Sequence, residues 1–414
     1  MLSIWTCSLI ECKNVAGSQR GSVAQLLTPL PRTTDYVGVA LTRSVMLDTS
    51  RMPSYAFLSP QAVERREETT RKGAYSLLPH EETWRDRQPG LQQRGYLLRQ
   101  RYHPDWKPSW EGTNVDPDFC EDSVTSLRLE VIDATRPDGA VVAIKSINNL
   151  GSHEVEIARF LTSLAHPENH CVPVVDVFPD PLEPGRTLMV MPWLRPFNDP
   201  EFVIVGDVID FVTQMLEGLA FLHAHHVVHR DIAAQNVMMD GSQLYAGGFH
   251  PMRRGFSLDV IDELKPLSRA DHPVRYYYID FGLSERFAPG APSLVVGDVG
   301  RDAEVPELSS TIPYDGYKAD IHALGNLFHK ELELKYHHVE FLRELVMHMK
   351  QRDPAARPPA SELVTMFRQI RSRQPPTSYR WRLGSKSEPA YERVLNDTVA
   401  VAWEGLSQLK RLVR

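Results

Sequence analysis

Asp231 and Asn236 lie in the polar stretch His229-Arg230-Asp231-Ile232-Ala233-Ala234-Gln235-Asn236, directly behind an apolar pattern of helical period. A second aspartate opens Asp280-Phe281-Gly282, immediately after the strand-like Tyr276-Tyr277-Tyr278-Ile279. Lys145 closes Val142-Ala143-Ile144-Lys145, where strand alternation turns Ala143 and Lys145 to one face. Phosphoryl transfer from ATP needs an acceptor-orienting carboxylate, magnesium ligands, a cation on the phosphates that stay behind, and a cover over them. These residues supply the first three in a usable order. Taken singly, each has a plainer reading: a polar turn after a helix, an Asx turn closing a strand, a snorkelling surface lysine.

The elements that must hold these groups are legible from period and punctuation. Residues 127–133 and 140–147 are β-branched-rich strands separated by the turn Arg136-Pro137-Asp138-Gly139, which predicts a hairpin. A helix is expected over residues 153–164, then two strands, 172–178 and 187–191, split by a proline-rich turn. Val208, Phe211, Val212, Met215, Leu219 and Leu222 give residues 206–225 a helical apolar stripe, and the chain beyond 318 is mainly helical. Strands first and helices later make a segregated α+β pattern.

With 414 residues, 42% of them hydrophobic, the chain can bury a large core, and its net charge of −7 argues against electrostatic binding of nucleic acid or a membrane surface. The four cysteines, Cys7, Cys12, Cys120 and Cys171, are scattered, which fits a reducing compartment rather than a disulfide framework or zinc site. The apolar run from Leu2 to Ile10 lacks a basic flank and is too short to span a bilayer, so an intracellular protein, cytoplasmic or nuclear, is expected.

Further motifs extend the pattern. Val305-Pro306-Glu307, Asp320-Ile321-His322-Ala323-Leu324-Gly325 and Asp353-Pro354-Ala355-Ala356-Arg357-Pro358 follow in order, and Thr187 to Leu194 lies between the lysine strand and the first long helix. Over roughly residues 120–372 the chain resembles the eukaryotic protein kinases. The resemblance implies a bilobal protein-kinase-like fold, with a small, mainly β N-lobe and a larger, mainly α C-lobe. It also implies ATP and Mg2+ as cofactors and a protein substrate. Asp231 would orient the acceptor hydroxyl and take its proton, with Arg230 beside it; Asn236 and Asp280 would hold magnesium; Lys145 would reach the α and β phosphates. A helix glutamate should pair with Lys145. Glu154 and Glu156 are both within reach, and Glu156 is favoured because Ile157, Phe160, Leu161 and Leu164 supply a packing face beside it. Met191 would be the gatekeeper, and backbone groups of Trp193 and Leu194 would receive adenine. His229, Gly282, Asp320 and the Glu307–Arg357 pair would be structural, with Asp320 bracing the catalytic-loop backbone.

The sequence departs from that pattern in three places. No glycine occurs between Gly112 and Gly139, so Val124, Ser126 and Leu129 stand where a phosphate-covering loop has glycines. Ala233 occupies the position that serine/threonine kinases give to a lysine near the γ-phosphate, leaving Ser/Thr against Tyr acceptors open. The stretch 241–275 is an insert, either a solvated surface loop or a docking element. With Asn169-His170-Cys171-Val172-Pro173 and the aromatic strip at 102–110, the insert looks like the kinase-like proteins expanded in mushroom-forming fungi. Asp298, Asp302 and Glu304 are expected to offer Arg230 negative charge without phosphorylation.

The expected organisation is a disordered extension at 1–52, a flanking helical and aromatic segment at 53–118, an N-lobe at 119–193 and a C-lobe at 194–372. A tail at 373–414 carries an amphipathic helix. An active protein kinase is the leading reading. A pseudokinase scaffold and a small-molecule phosphotransferase are the alternatives.

Overall fold

The computed structural model describes residues 48–150, 153–393 and 396. Residues 1–47 of the N-terminal extension, and Val394, Leu395 and the positions from 397 onward that carry the expected tail helix, lie outside the described residues.

Two helices come first, α1 (Pro60–Arg71) and α2 (Pro79–Gln93). Both begin with proline, whose missing N–H costs nothing in a first turn. Four antiparallel strands follow: β1 (Val131–Thr135), β2 (Val141–Asn148), β3 (Asp176–Pro179) and β4 (Arg186–Pro192), in the order β1-β2-β4-β3. Helix α3 (Glu154–Ser163) connects β2 to β3. The alternation in β2 sends Val142 and Ile144 to one side, where they form a core with Leu188 and Val190 of β4 and with Trp84 and Leu91 of α2. The flanking segment is thus the cover of one sheet face, and Tyr96, Leu98 and Tyr102 complete that core. The other face carries Lys145 and Ala143, opposite Met189 and Met191 of β4.

The expected strand at 127–133 starts late. Leu127 and Leu129 are exposed, and the backbone before β1 is bonded to the flank instead: His80 Nε2 lies 2.7 Å from the Ser126 carbonyl, and Trp84 Nε1 donates to the Leu129 carbonyl at 3.3 Å.

The second lobe is built on α4 (Val205–Ala224), whose buried face includes Val208, Phe211, Val212, Met215, Leu219 and Leu222, as the stripe predicts. Short strands β5 (Arg195–Pro196), β6 (Val227–Val228), β7 (Val237–Met239), β8 (Tyr276–Tyr278) and β9 (Glu285–Arg286) lie beside it, paired as β5-β7-β8 and β6-β9. The β10 (Leu294–Gly297) and β11 (Ser309–Asp315) pair leads into α5 (Gly316–Phe328), then α6 (Arg343–Met349) and α7 (Ala360–Ser372). Helix α5 starts where the Asp315 carboxylate accepts the Tyr317 N–H at 2.9 Å. Beyond α7, the Leu383 N–H donates to the Val203 carbonyl at 2.8 Å, so this part of the tail packs beside the start of α4.

The insert at 241–275 is a packed element. Leu244, Tyr245, Phe249 and Val260 are buried, and the Arg195 guanidinium lies 4.4 Å from the ring centroids of both Tyr245 and Phe249. It also grips the N-terminal flank. Arg51 pairs with Asp259 and Asp262, Arg253 donates to the Asp118 carbonyl, and His250 Nε2 lies 3.2 Å from Glu121 Oε1. Among the described residues, no helix is long and apolar enough to cross a membrane.

Candidate active site

The catalytic-loop backbone is pinned from below by Asp320, a buried residue of α5. Its Oδ2 accepts the His229 N–H and its Oδ1 the Arg230 N–H, both at 2.8 Å, while His223 Nε2 lies 3.1 Å away. These bonds hold Arg230 at φ 67°, a left-handed conformation costly for a side-chain-bearing residue. His229 ties the loop to the neighbouring motif: its Nε2 lies 3.1 Å from the Ile279 carbonyl, and its ring centroid is 5.2 Å from that of Phe281.

Asp231 and Asn236 meet. Asn236 Nδ2 donates to Asp231 Oδ2 at 2.7 Å and to the Asp231 carbonyl at 2.9 Å. Asp231 Oδ1 accepts the Arg301 N–H at 2.7 Å, and Arg301 Nε lies 3.5 Å from Oδ2. Burial pushes the Asp231 carboxyl above its ordinary value, against the opposing pull of the Arg301 N–H and nearby positive charge. Were Asp231 the base of a phosphoryl transfer, transfer would fall with acid through a midpoint above the usual aspartate value of about 3.9, since a base must be deprotonated to act. A kcat/KM profile against pH checks this; a midpoint at or below that value would contradict it.

Lys145 joins the lobes. Its Nζ donates to Glu154 Oε1 at 2.6 Å and to Asp280 Oδ1 at 2.9 Å. Burial works against the ammonium, but the two carboxylates outweigh it and hold Lys145 protonated above its ordinary range. Burial likewise works against the Asp280 carboxylate, yet Lys145 wins and keeps that carboxyl below its usual value. Asp280 sits at φ 66°, held in this conformation within the Lys145 bridge. A Cβ at Gly282 would lie 3.3 Å from Asp280 Oδ1 and 3.5 Å from Glu154 Oε2, so glycine keeps that corner open.

The partner of Lys145 is therefore Glu154, which corrects the expectation of Glu156. Glu156 points to solvent, its side chain 77% exposed, 3.6 Å from His153. Positions two apart on a helix face different ways, and the buried side of α3 is Glu154, Ile157, Ala158 and Leu161. That is the i, i+3, i+4, i+7 series from Glu154, so the packing face used to favour Glu156 points to its neighbour.

Asn236 Oδ1 is buried and has no hydrogen-bond partner. An orphaned acceptor beside the Asp280 motif, with donors limited to an amide oxygen and carboxylates, fits a magnesium ion, which keeps waters and relies on few protein ligands plus phosphate. Among the described residues, no group of three His, Cys, Asp or Glu gathers as a closed metal cage.

At the hinge, Met191 pairs with Ala143 and shares the face of Lys145. One backbone group of Trp193 is already engaged. Its backbone N–H already donates to the Val141 carbonyl at 3.2 Å, so Leu194, the next residue, is left as the donor position. The expected charge relay to Arg230 also takes another form. Arg230 pairs with Glu285 and donates to the Val296 carbonyl at 2.7 Å, whereas Asp302 accepts from Asn326 at 2.6 Å and Glu304 lies 3.0 Å from Lys330. The Glu307–Arg357 pair forms as expected and is bidentate, with Arg357 Nη2 2.9 Å from Glu307 Oε2 and the arginine buried.

The region before β1 carries polar groups that the sequence motifs did not flag. The Ser126 N–H donates to Glu81 Oε1 at 2.9 Å, and Arg99 donates to the Val124 carbonyl at 2.6 Å. Arg99 Nε also lies 3.1 Å from Asp133 Oδ2, and Arg128 stacks 5.0 Å from the Trp193 ring centroid. Strand alternation puts Asp133, opposite Ala143, on the Lys145 face. These partners come from distant parts of the chain, and no local spacing announces them.

Lys145 bridging two carboxylates, an aspartate–asparagine loop braced from an interior helix, and a buried arginine pair behind them define a protein kinase fold. The chain matches the protein kinase domain family over residues 130–337, half of its length, and it belongs to that family. It is also similar to the putative serine/threonine-protein kinase L673 of Acanthamoeba polyphaga mimivirus, 39% identical over 54 residues, which is 13% of this chain and 10% of that protein. The chain thus matches about a tenth of the length of that curated relative.

Proposed function

We propose that the protein transfers the γ-phosphoryl group of ATP to a protein hydroxyl. The observation that carries this reading is the Lys145 bridge to Glu154 and Asp280, closed beside an Asp231–Asn236 loop whose asparagine oxygen lacks a partner. Lys145 neutralises phosphates that do not transfer, and Asp231 orients the acceptor hydroxyl and takes its proton. Asn236 and Asp280 hold magnesium, which when bound neutralises charge developing on the phosphate oxygens. Met191 and Leu194 border the adenine. The Glu307–Arg357 pair supports a protein acceptor over a small metabolite. Cys120 and Cys171 are free and buried, which supports action in a reducing, intracellular setting.

The region before β1 favours a second reading, a pseudokinase scaffold. The Ser126 amide is already bonded to Glu81, and Arg99, Asp133 and Arg128 bring charge to the cleft face near the hinge. Full-length protein with labelled ATP, magnesium and a pool of Ser-, Thr- and Tyr-containing peptides separates the two. Wild-type transfer that Asp280→Asn lowers at least about 100-fold is expected, that aspartate being a magnesium ligand. Absence of transfer, or equal transfer by the variant, would sink the active-kinase reading, and the labelled residue identifies the acceptor.

A further inference from the structure

Negative charge spreads over the equatorial oxygens of a transferring phosphoryl group, and a cation beside them is among the largest electrostatic contributions an enzyme can make. The catalytic loop contributes none: between Asp231 and Asn236 stand Ile232, Ala233, Ala234 and Gln235. Lys145 is engaged by Glu154 and Asp280. Arg230 points the other way, to Glu285 and the Val296 carbonyl.

A cation reaches the base from a different element. Arg301 lies between β10 and β11; its N–H donates to Asp231 Oδ1 at 2.7 Å and its Nε lies 3.5 Å from Oδ2. The segment is pressed onto the loop because Gly300 precedes it. A Cβ there would sit 3.3 Å from the Arg230 carbonyl and 3.6 Å from Asp231 Oδ1, closer to the carbonyl than side-chain-bearing residues ordinarily come. On the other side Asp302 anchors the chain, accepting from Asn326 at 2.6 Å with Lys330 Nζ 3.4 Å away. The Arg301 side chain is 30% exposed and lies against the Asp231 carboxylate, and its charge also acts on Asp280.

We propose that Arg301 is the cation on the transferring γ-phosphoryl group, supplied by the β10–β11 segment in place of the charge that the catalytic loop lacks. The inference rests on the phosphotransferase reading above. In the step, the bond from the γ-phosphorus to its bridging oxygen breaks and ADP leaves with the electron pair. The acceptor oxygen bonds to phosphorus, and its proton passes to Asp231. Arg301 exchanges no proton, because a guanidinium stays charged, and its planar donors match phosphate oxygens. An acceptor within reach of Asp231 places the γ-phosphorus about 3–3.5 Å beyond that hydroxyl, a span that an arginine side chain anchored at the base covers.

Four full-length proteins test it: wild type, Arg301→Ala, Arg301→Lys, and Arg301→Ala combined with Ala233→Lys. Arg301→Ala should lower kcat about 100- to 1,000-fold with KM for ATP within a few-fold of wild type. Arg301→Lys should keep part of the rate. The combined variant should recover at least about tenfold over Arg301→Ala, since a lysine at 233 returns a cation to the loop; a merely structural role for Arg301 would show no such rescue. An Arg301→Ala enzyme as fast as wild type or faster, the latter meaning that Arg301 plugs the base, overturns the proposal, as does a combined variant no faster than Arg301→Ala. If the wild type transfers nothing, the phosphotransferase reading has failed. The arginine is then judged by binding alone: the preference for magnesium-ADP with aluminium fluoride, a mimic of the transferring phosphoryl group, over magnesium-ADP should fall at least about tenfold in Arg301→Ala, and an unchanged preference overturns its γ-phosphate role.

Discussion

Asp231→Asn is expected to slow phosphoryl transfer by about 100- to 10,000-fold, the usual contribution of a positioned general base, with magnesium-ATP affinity within a few-fold of wild type. The substitution keeps the size of the side chain and removes its ability to take a proton. It also disturbs a fixed arrangement: both neighbours of the carboxylate are donors, Asn236 Nδ2 at 2.7 Å and the Arg301 N–H at 2.7 Å. An asparagine must turn its own NH2 toward one of them, so a local loss of hydrogen bonding accompanies the loss of the base. Because Lys145, Asp280 and Glu154 lie in a separate bridge, nucleotide affinity should not share the fall. Steady-state kinetics with nucleotide titration measures both quantities, and a variant within tenfold of the wild-type rate would remove Asp231 from the role of base.

Arg101→Met is expected to destabilise the protein by about 3–5 kcal/mol, because it strands a buried carboxylate. Glu81 and Arg101 are both 0% exposed, joined by Arg101 Nε and Nη2 each 3.1 Å from the carboxylate. Glu81 also accepts the Leu78 N–H at 3.0 Å, the Ser126 N–H at 2.9 Å and the Tyr102 hydroxyl at 2.9 Å. Burial alone would raise this carboxyl, but the backbone donors of Leu78 and Ser126 and the Arg101 charge outweigh it and hold it below its usual range. Its contribution is accordingly present above the ordinary glutamate pKa and is lost as pH falls below it. Pairing Arg101→Met with Glu81→Gln should recover part of the loss, since no unpaired charge is then left inside. Urea unfolding of the three variants reads this directly. A loss below about 1 kcal/mol would mean that the flank is not integral to the lobe. Since the Ser126 amide hangs on Glu81, the same variants should show altered nucleotide affinity, which links flank stability to the cleft.

The candidate site groups were legible because each belongs to a short motif in a recognisable element. By their resemblance to kinase motifs, Lys145 was singled out in Val142-Ala143-Ile144-Lys145 of β2, Asp280 in the motif behind β8, and Asp231 with Asn236 in one loop after α4. The α+β order and the α4 stripe followed from periodicity alone. The choice between Glu154 and Glu156 was a question of helix phase, and the apolar positions of α3 contained the answer. Other features had no local signal at all. The insert at 241–275 packs under Arg195 and grips Arg51 and Asp118, and nothing in its composition separates that from a solvated loop.

By itself, then, the sequence determined the family, the order of elements and the candidate site groups, because these depend on residues a few positions apart whose spacing is dictated by strand and helix geometry. The tertiary structure alone decided which carboxylate faces Lys145, how the glycine-free segment is fastened to α2, that Arg230 turns to Glu285, and that Arg301 comes to rest on Asp231. Those contacts join residues from nine to about seventy positions apart in the chain, and only packing brings them within hydrogen-bonding range.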